Sequence, residues 1–398
     1  MEKTRVNNRQ RLINALLLHS SFIENPGLLH GKTGIAICFY HLARQTGNTI
    51  YEDYAGELID EIYEDITMDT PLDFASGLAG IGWGIEYLVQ NHFLEADTDE
   101  VLEEIDKRLM PLIYSFPSSI GLENGLVGLG AYLLKRIQNP AANEEKIQTL
   151  INRQLLVHLI SELDRRTQDV SELIKEPLHQ PATEKEPDPA GEEKAKITKE
   201  TTVFDLTWDY PVLLVFLQEV LSDNLYNVKV NELLQRLIFP LTKEENHPRL
   251  HSNRLLLALA LTKLNQQITQ QDRHPDTGKE TGSFYSGIGM ENIIRNLLTG
   301  ISRETIGQEL HPNCAFLRNG TMGIAWIYQQ LSGLTLRTEF KAEADYWRKQ
   351  SFRFGETDQG YAGFYVEKEN EEQAFGLLNG LAGIALHLLN YPIRSGHD

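Results

Sequence analysis

Gly31-Lys32-Thr33-Gly34-Ile35-Ala36, near the start of the 398-residue chain, returns near its end as Gly380-Leu381-Ala382-Gly383-Ile384-Ala385. Between them stand Gly77-Leu78-Ala79-Gly80-Ile81-Gly82, Gly125-Leu126-Val127-Gly128-Leu129-Gly130 and Gly320-Thr321-Met322-Gly323-Ile324-Ala325. Gly287-Ile288-Gly289-Met290 reads as a shortened fifth copy, and Trp208-Asp209-Tyr210-Pro211-Val212-Leu213 as a degenerate fourth. Apolar residues then follow at helical spacing, as in Ile324, Ile327, Tyr328 and Leu331 or Met290, Ile293, Ile294 and Leu297. That spacing makes one buried stripe of an amphipathic helix. Glycine inside a helix costs about 1 kcal/mol relative to alanine. Its return in copy after copy implies backbones in close approach at crowded helix starts.

Longer, more polar helical segments lie between the signatures: Asp97 to Phe116, Asn143 to Arg166, Tyr226 to Leu241 and Pro248 to Ile268. Glycine-headed helices alternating with polar-faced ones predict inner and outer rings, each repeat burying its stripe against its neighbours. No period-two alternation competes with this pattern, so almost no strand is expected. The expected fold is all-α, an α/α toroid of seven repeated helix pairs, with residues 1–398 as a single domain. Residues 172–200 stand apart: four prolines, many Glu and Lys and almost no aliphatic residues mark a mobile charged loop inserted in that domain.

The net charge of −19 argues against nucleic acid and against anionic membrane surfaces. Two cysteines in 398 residues make no disulfide framework. The first residues show no apolar signal-peptide core, and no apolar run is long enough to span a bilayer, so a cytoplasmic location is expected.

Seven such repeats resemble the lanthionine synthetase C-like (LanC-like) peptide cyclases. The similarity rests on Gly27-Leu28-Leu29-His30-Gly31-Lys32-Thr33-Gly34-Ile35-Ala36 and Leu378-Asn379-Gly380-Leu381-Ala382-Gly383-Ile384-Ala385-Leu386, and covers roughly residues 15 to 391. The resemblance implies a double ring of helices. It also implies an activity: closing thioether rings by adding a cysteine thiol to a dehydrated Ser or Thr. In that family a zinc ion held by two Cys and one His activates the thiol. Its ligands come from a Trp-Cys-x-Gly motif in the fifth repeat and a Cys-His-Gly motif in the sixth.

Here the pattern departs. With Gly287 as the fifth signature, Tyr285 stands where the first cysteine should be, and Arg318-Asn319-Gly320 replaces Cys-His-Gly. Neither tyrosine, arginine nor asparagine makes a zinc thiolate site, so no metal and no cofactor are expected. The family's fourth-repeat histidine falls near Thr207 or Trp208, and its third-repeat carboxylate at Gly121.

Arg318, Tyr285 and Asp209 are the candidate catalytic residues. A guanidinium at the zinc position would hold a thiolate by charge, or else simply fill the site by pairing with a carboxylate. Glu123, Asp205 and Asp209 are the carboxylates in reach if the repeats align. Trp208, Asp205, Asn319, Glu123 and His30 are candidate peptide-binding residues. For His30 the alternative is capping or packing, and for Trp208, Trp83 and Trp326 it is core. His311 and Cys314 lack a third ligand and read as a surface loop; Cys38, His251 and His387 read as structural.

The first functional expectation is a protein of lanthipeptide biosynthesis that binds a precursor peptide or a partner dehydratase without zinc chemistry. The alternatives are an active zinc-independent cyclase using Arg318 and Tyr285, and a carbohydrate-active α/α toroid using the paired carboxylates.

Overall fold

The computed structural model describes residues 2–140, 146–179, 185–187, 193–195, 201–273, 285, 287–311, 313–355, 360–364 and 373–389. Seven helices form an inner ring: α2 (Lys32–Thr46), α4 (Leu78–Gln90), α7 (Leu126–Ile137), α9 (Asp209–Ser222), α11 (His251–Arg273), α14 (Thr321–Thr335) and α16 (Leu381–Leu389). Each packs on the next, and α16 returns to α2, so the ring is closed.

An outer layer covers it. α3 (Thr49–Asp65) packs on α2, and the short α5 (Thr98–Val101) and α6 (Glu103–Leu109) on α4. α8 (Ile147–Arg166) packs on α7, and α10 (Asn227–Ile238) on α9. α12 (Met290–Leu298) and α13 (Arg303–Glu309) pack on α11, and α15 (Thr338–Phe354) on α14. α1 (Glu2–His19) supplies the outer partner of α16, so the two ends of the chain complete one repeat.

The all-α toroid predicted from the repeats is present, with one correction inside it. The fifth inner helix is α11, and Pro248 to Ile268, read as an outer segment, forms most of it. The helix after Gly287-Ile288-Gly289 is α12, which belongs to the outer layer. The two glycine classes differ physically. A Cβ on Gly80 or Gly383 would overlap the carbonyl oxygens of Phe74 and Leu377, so these glycines permit backbone contact. Gly287 has open space around it and Gly289 meets only Asn292 Nδ2 at an ordinary 3.7 Å, but they adopt φ of 89° and 68°, a turn conformation.

Residues 172–200 are more than a bare loop. Leu178–His179 pairs antiparallel with Thr201–Thr202, and Lys185–Pro187 with Glu193–Ala195. Most of the rest of this segment, Pro181 and Pro189 included, lies outside the described residues. No described helix is long and apolar enough to cross a membrane.

Candidate functional site

The loops entering the inner helices meet at one face of the ring and are stitched together by backbone hydrogen bonds. Phe74 and Ala75 N–H donate to Glu123 O, Leu29 N–H to Ala75 O, and Leu377 N–H to Leu29 O. Arg318 N–H donates to Leu378 O, and Leu206 N–H to Arg318 O. The sequence thus runs through repeats three, two, one, seven, six and four. The fifth loop takes no part in these bonds, and the sixth closes directly on the fourth.

This stitching fixes the side chains at the centre. Arg318 reaches Glu123 through Nη2 at 2.8 Å and Asp205 through Nε at 3.2 Å. His30 Nε2 lies 3.1 Å from Glu123 Oε2. Thr207 Oγ1 donates to Glu123 at 3.2 Å or to Asp205 at 2.8 Å, and the Thr207 N–H also donates to Asp205. Burial alone would raise the Glu123 pKa, but the His30 hydrogen bond and the Arg318 charge outweigh it and hold the carboxyl below its ordinary value. Burial also opposes the charge on Arg318, yet Asp205 and Glu123 raise its pKa further.

Asp209 completes the group differently. A side chain built on Gly121 would collide with the Asp209 carboxylate. Asp209 therefore fills the space that a longer residue at 121 would occupy, adding a fourth-repeat carboxylate beside the third-repeat Glu123. Burial, then the charges of Asp205 and Glu123, raise its pKa.

Five of the sequence candidates thus converge: Arg318, Glu123, Asp205, His30 and Asp209. The reading of Arg318 as a guanidinium that pairs with carboxylates matches the geometry, and His30 is a member of the cluster rather than a cap. Tyr285 is not a member: its hydroxyl donates to Asn231 Oδ1 of α10 at 2.8 Å, facing the outer layer. Trp208 is buried in the core, which removes it from any peptide-lining role. Asn319 accepts the Cys314 thiol hydrogen at 3.2 Å. Cys314 is itself buried, whereas His311 and Asn313 are exposed, so the surface-loop reading holds for those two and not for the cysteine.

Two cavities open beside the cluster on the same face. One of about 430 Å³ is lined by residues that include Phe204, Leu250, His311, Cys314, Asn319 and Asn379. The other, about 830 Å³, is lined by residues that include His19, Phe22, Asn25, His30, Ser76 and Phe375. His19 stacks on Phe375 at 4.9 Å, and Phe22 is 81% exposed. Sequence reasoning missed this aromatic wall, because His19, Phe22 and Phe375 lie outside the repeated signature.

Residues 23–183 match the family model described as lanthionine synthetase C-like protein. Across the whole ring, the fold matches the solved structure of nisin cyclase with a TM-score of 0.60 and 15% sequence identity, covering 96% of this chain and 93% of that one. Over residues 23–183 the chain is LanC-like in sequence, and the whole ring shares the fold of that cyclase. No curated protein matches it.

The zinc that the family implies can be tested against these residues. Each glycine-capped inner helix begins one residue after its first signature glycine. α11 begins at His251, so its equivalent of that glycine is Leu250, and the cysteine of a Trp-Cys-x-Gly motif would fall at Pro248 rather than Tyr285. Proline, with Arg318 and Asn319 in the sixth repeat, offers no ligand set for zinc. Among the described residues no group of three or more His, Cys, Asp or Glu is arranged to hold a metal ion. The described residues do not fit zinc.

Proposed function

We propose that this LanC-like protein works in lanthipeptide biosynthesis as a binding partner of a precursor peptide or of its dehydratase. One observation carries the reading. A cation covalently part of the chain, Arg318, sits at the centre of the convergent loop face and is held by Glu123 and Asp205. Cavities of about 430 and 830 Å³ flank it. A continuous open face of this kind suits an extended peptide, with apolar side chains in the flanking cavities.

The zinc-independent cyclase reading asks Arg318 to stabilise an anion in the reaction. Its charge is already engaged by two carboxylates, which weakens that role. The carbohydrate reading asks for two free carboxylates, and Glu123 and Asp205 share one guanidinium.

The test uses a fluorescently labelled dehydrated peptide bearing Cys and dehydrated Ser or Thr, titrated with the full chain and with its Arg318→Glu variant. Saturable binding that the variant weakens at least tenfold supports the reading. Mass spectrometry of the same mixture, after alkylation of free thiols, separates the alternative. Ring closure in the presence of a chelator would make the protein a cyclase, and absence of binding to both peptide and dehydratase would remove the proposal.

A further inference from the structure

The interior of the inner ring carries a second space that the loop face does not use. A cavity of about 260 Å³ lies inside the ring, lined from α7, α9, α11 and α14. Val127 and Ala131 lie one turn apart on α7. Leu256, Leu259, Ala260 and Lys263 form an inward stripe on α11. On α9 the residues are Val212, Val215 and Glu219, again a helical stripe. These helices are therefore apolar on two faces, one against the outer layer and one toward the axis.

The lining has a definite polarity. At the near end lies Thr207, whose hydroxyl bonds to Glu123 and Asp205, so the ion cluster roofs the cavity. About 15 Å further along the axis, at 1.5 Å per residue of α9, Glu219 and Lys263 bring opposite charges to the other end. Between them the wall is aliphatic apart from Phe216 and Trp326. Val212, Val215, Ala131 and Trp326 all keep accessible surface although they sit inside the ring, which marks them as facing open space. Glu219 is exposed in the same sense, yet burial raises its carboxyl pKa, as for a side chain in a lumen surrounded by protein.

We propose that this lumen is a binding site for an uncharged, apolar small molecule of aromatic or branched aliphatic character. At the far end the carboxylates of Glu219 and Asp223 are offset by Lys263 and Lys135, so neither an anion nor a cation gains there. The space opens to solvent at Glu219, and at about 260 Å³ its aliphatic wall has more room than the cavity of about 150 Å³ that takes benzene, enough for a two-ring molecule. The inference does not rest on the peptide reading: the peptide face lies on the other side of the Thr207 roof, and each can fail while the other stands.

The test is titration of the full chain with N-phenyl-1-naphthylamine, an uncharged fluorescent probe. The expected result is saturable binding of one probe per chain. Val215→Trp and Ala131→Phe add bulk to the lumen wall and should weaken binding at least tenfold, with helicity by circular dichroism unchanged. Should either variant fail to fold, the isosteric pair Val212→Thr and Val215→Thr decides, because it wets the lumen without changing its volume. A loss of fivefold or more in that double variant supports the site. Non-saturable binding, or unchanged affinity in the folded lumen variants, overturns it.

Discussion

Arg318 crosses the ring to meet Glu123 at 2.8 Å, joining the loop of the sixth repeat to that of the third, 195 residues away in sequence. The pair, with Asp205 and His30, ties four loops at one point. It places one positive charge among three ionisable partners at the centre of the loop face.

Removing the guanidinium leaves two carboxylates facing each other. Breaking a buried pair typically costs 3–5 kcal/mol. About a quarter of each side chain is exposed here, so Arg318→Ala should cost about 2 kcal/mol, read as a lower urea midpoint. Adding Glu123→Gln to that variant should recover part of the loss, and simple additivity of the two changes would contradict the coupling.

The depressed pKa of Glu123 fixes one pH dependence. A carboxyl held lower in the folded state than its ordinary 4.5 contributes stability that is complete above that value. It is lost as pH falls below 4.5 and through the folded value. Glu123→Gln should flatten the acid limb of a plot of unfolding free energy against pH in that window.

Asp209 has the opposite sign. Its folded pKa lies above the ordinary 3.8, so the folded state holds its proton more tightly. The ionised form destabilises the fold as pH rises through the folded value. Asp209→Asn should therefore raise the urea midpoint at pH 7, with the gain shrinking as pH falls toward 4. A lower midpoint at pH 7 would show that the charge is compensated.

His387 in α16 is pushed down to about 3, chiefly by burial and then by the charge of Arg348. A base with a depressed folded pKa stabilises fully above its ordinary 6.5 and loses that contribution as pH falls toward 3. Chemical denaturation of His387→Gln at pH 7 and pH 5 should show a smaller acid loss than the parent chain.

The two kinds of glycine predict opposite outcomes. Gly333, in α14, has no heavy atom within 4 Å of an added Cβ, so Gly333→Ala should stabilise by about 0.5–1 kcal/mol. Gly383→Ala would force α16 away from the Leu377 carbonyl and should lower the thermal midpoint sharply. Equal effects from the two would refute the close-approach account of the signature.

That contrast explains where the sequence was readable. Most inner helices announce themselves because glycines forced by backbone contact sit three apart above an apolar stripe. α11 does not: its start, Leu250-His251-Ser252-Asn253, carries no glycine, and its loop takes no part in the backbone stitching. The turn glycines 287 and 289 imitate the signature in residue type, one residue closer together, and their φ angles and surroundings set them apart.

Helical stripes and capping glycines are local properties with a period of 3.6 residues, so the chain alone fixed the all-α class and the double ring. Which side chains share the centre is set by ring closure, which joins Arg318 to Glu123 and Glu123 to His30 over 195 and 93 residues. No local pattern encodes those distances. The tertiary structure alone gathered Arg318, Asp205, His30 and Asp209 around Glu123, turned Tyr285 outward to Asn231 and buried Trp208, because side-chain direction follows the packing of whole helices.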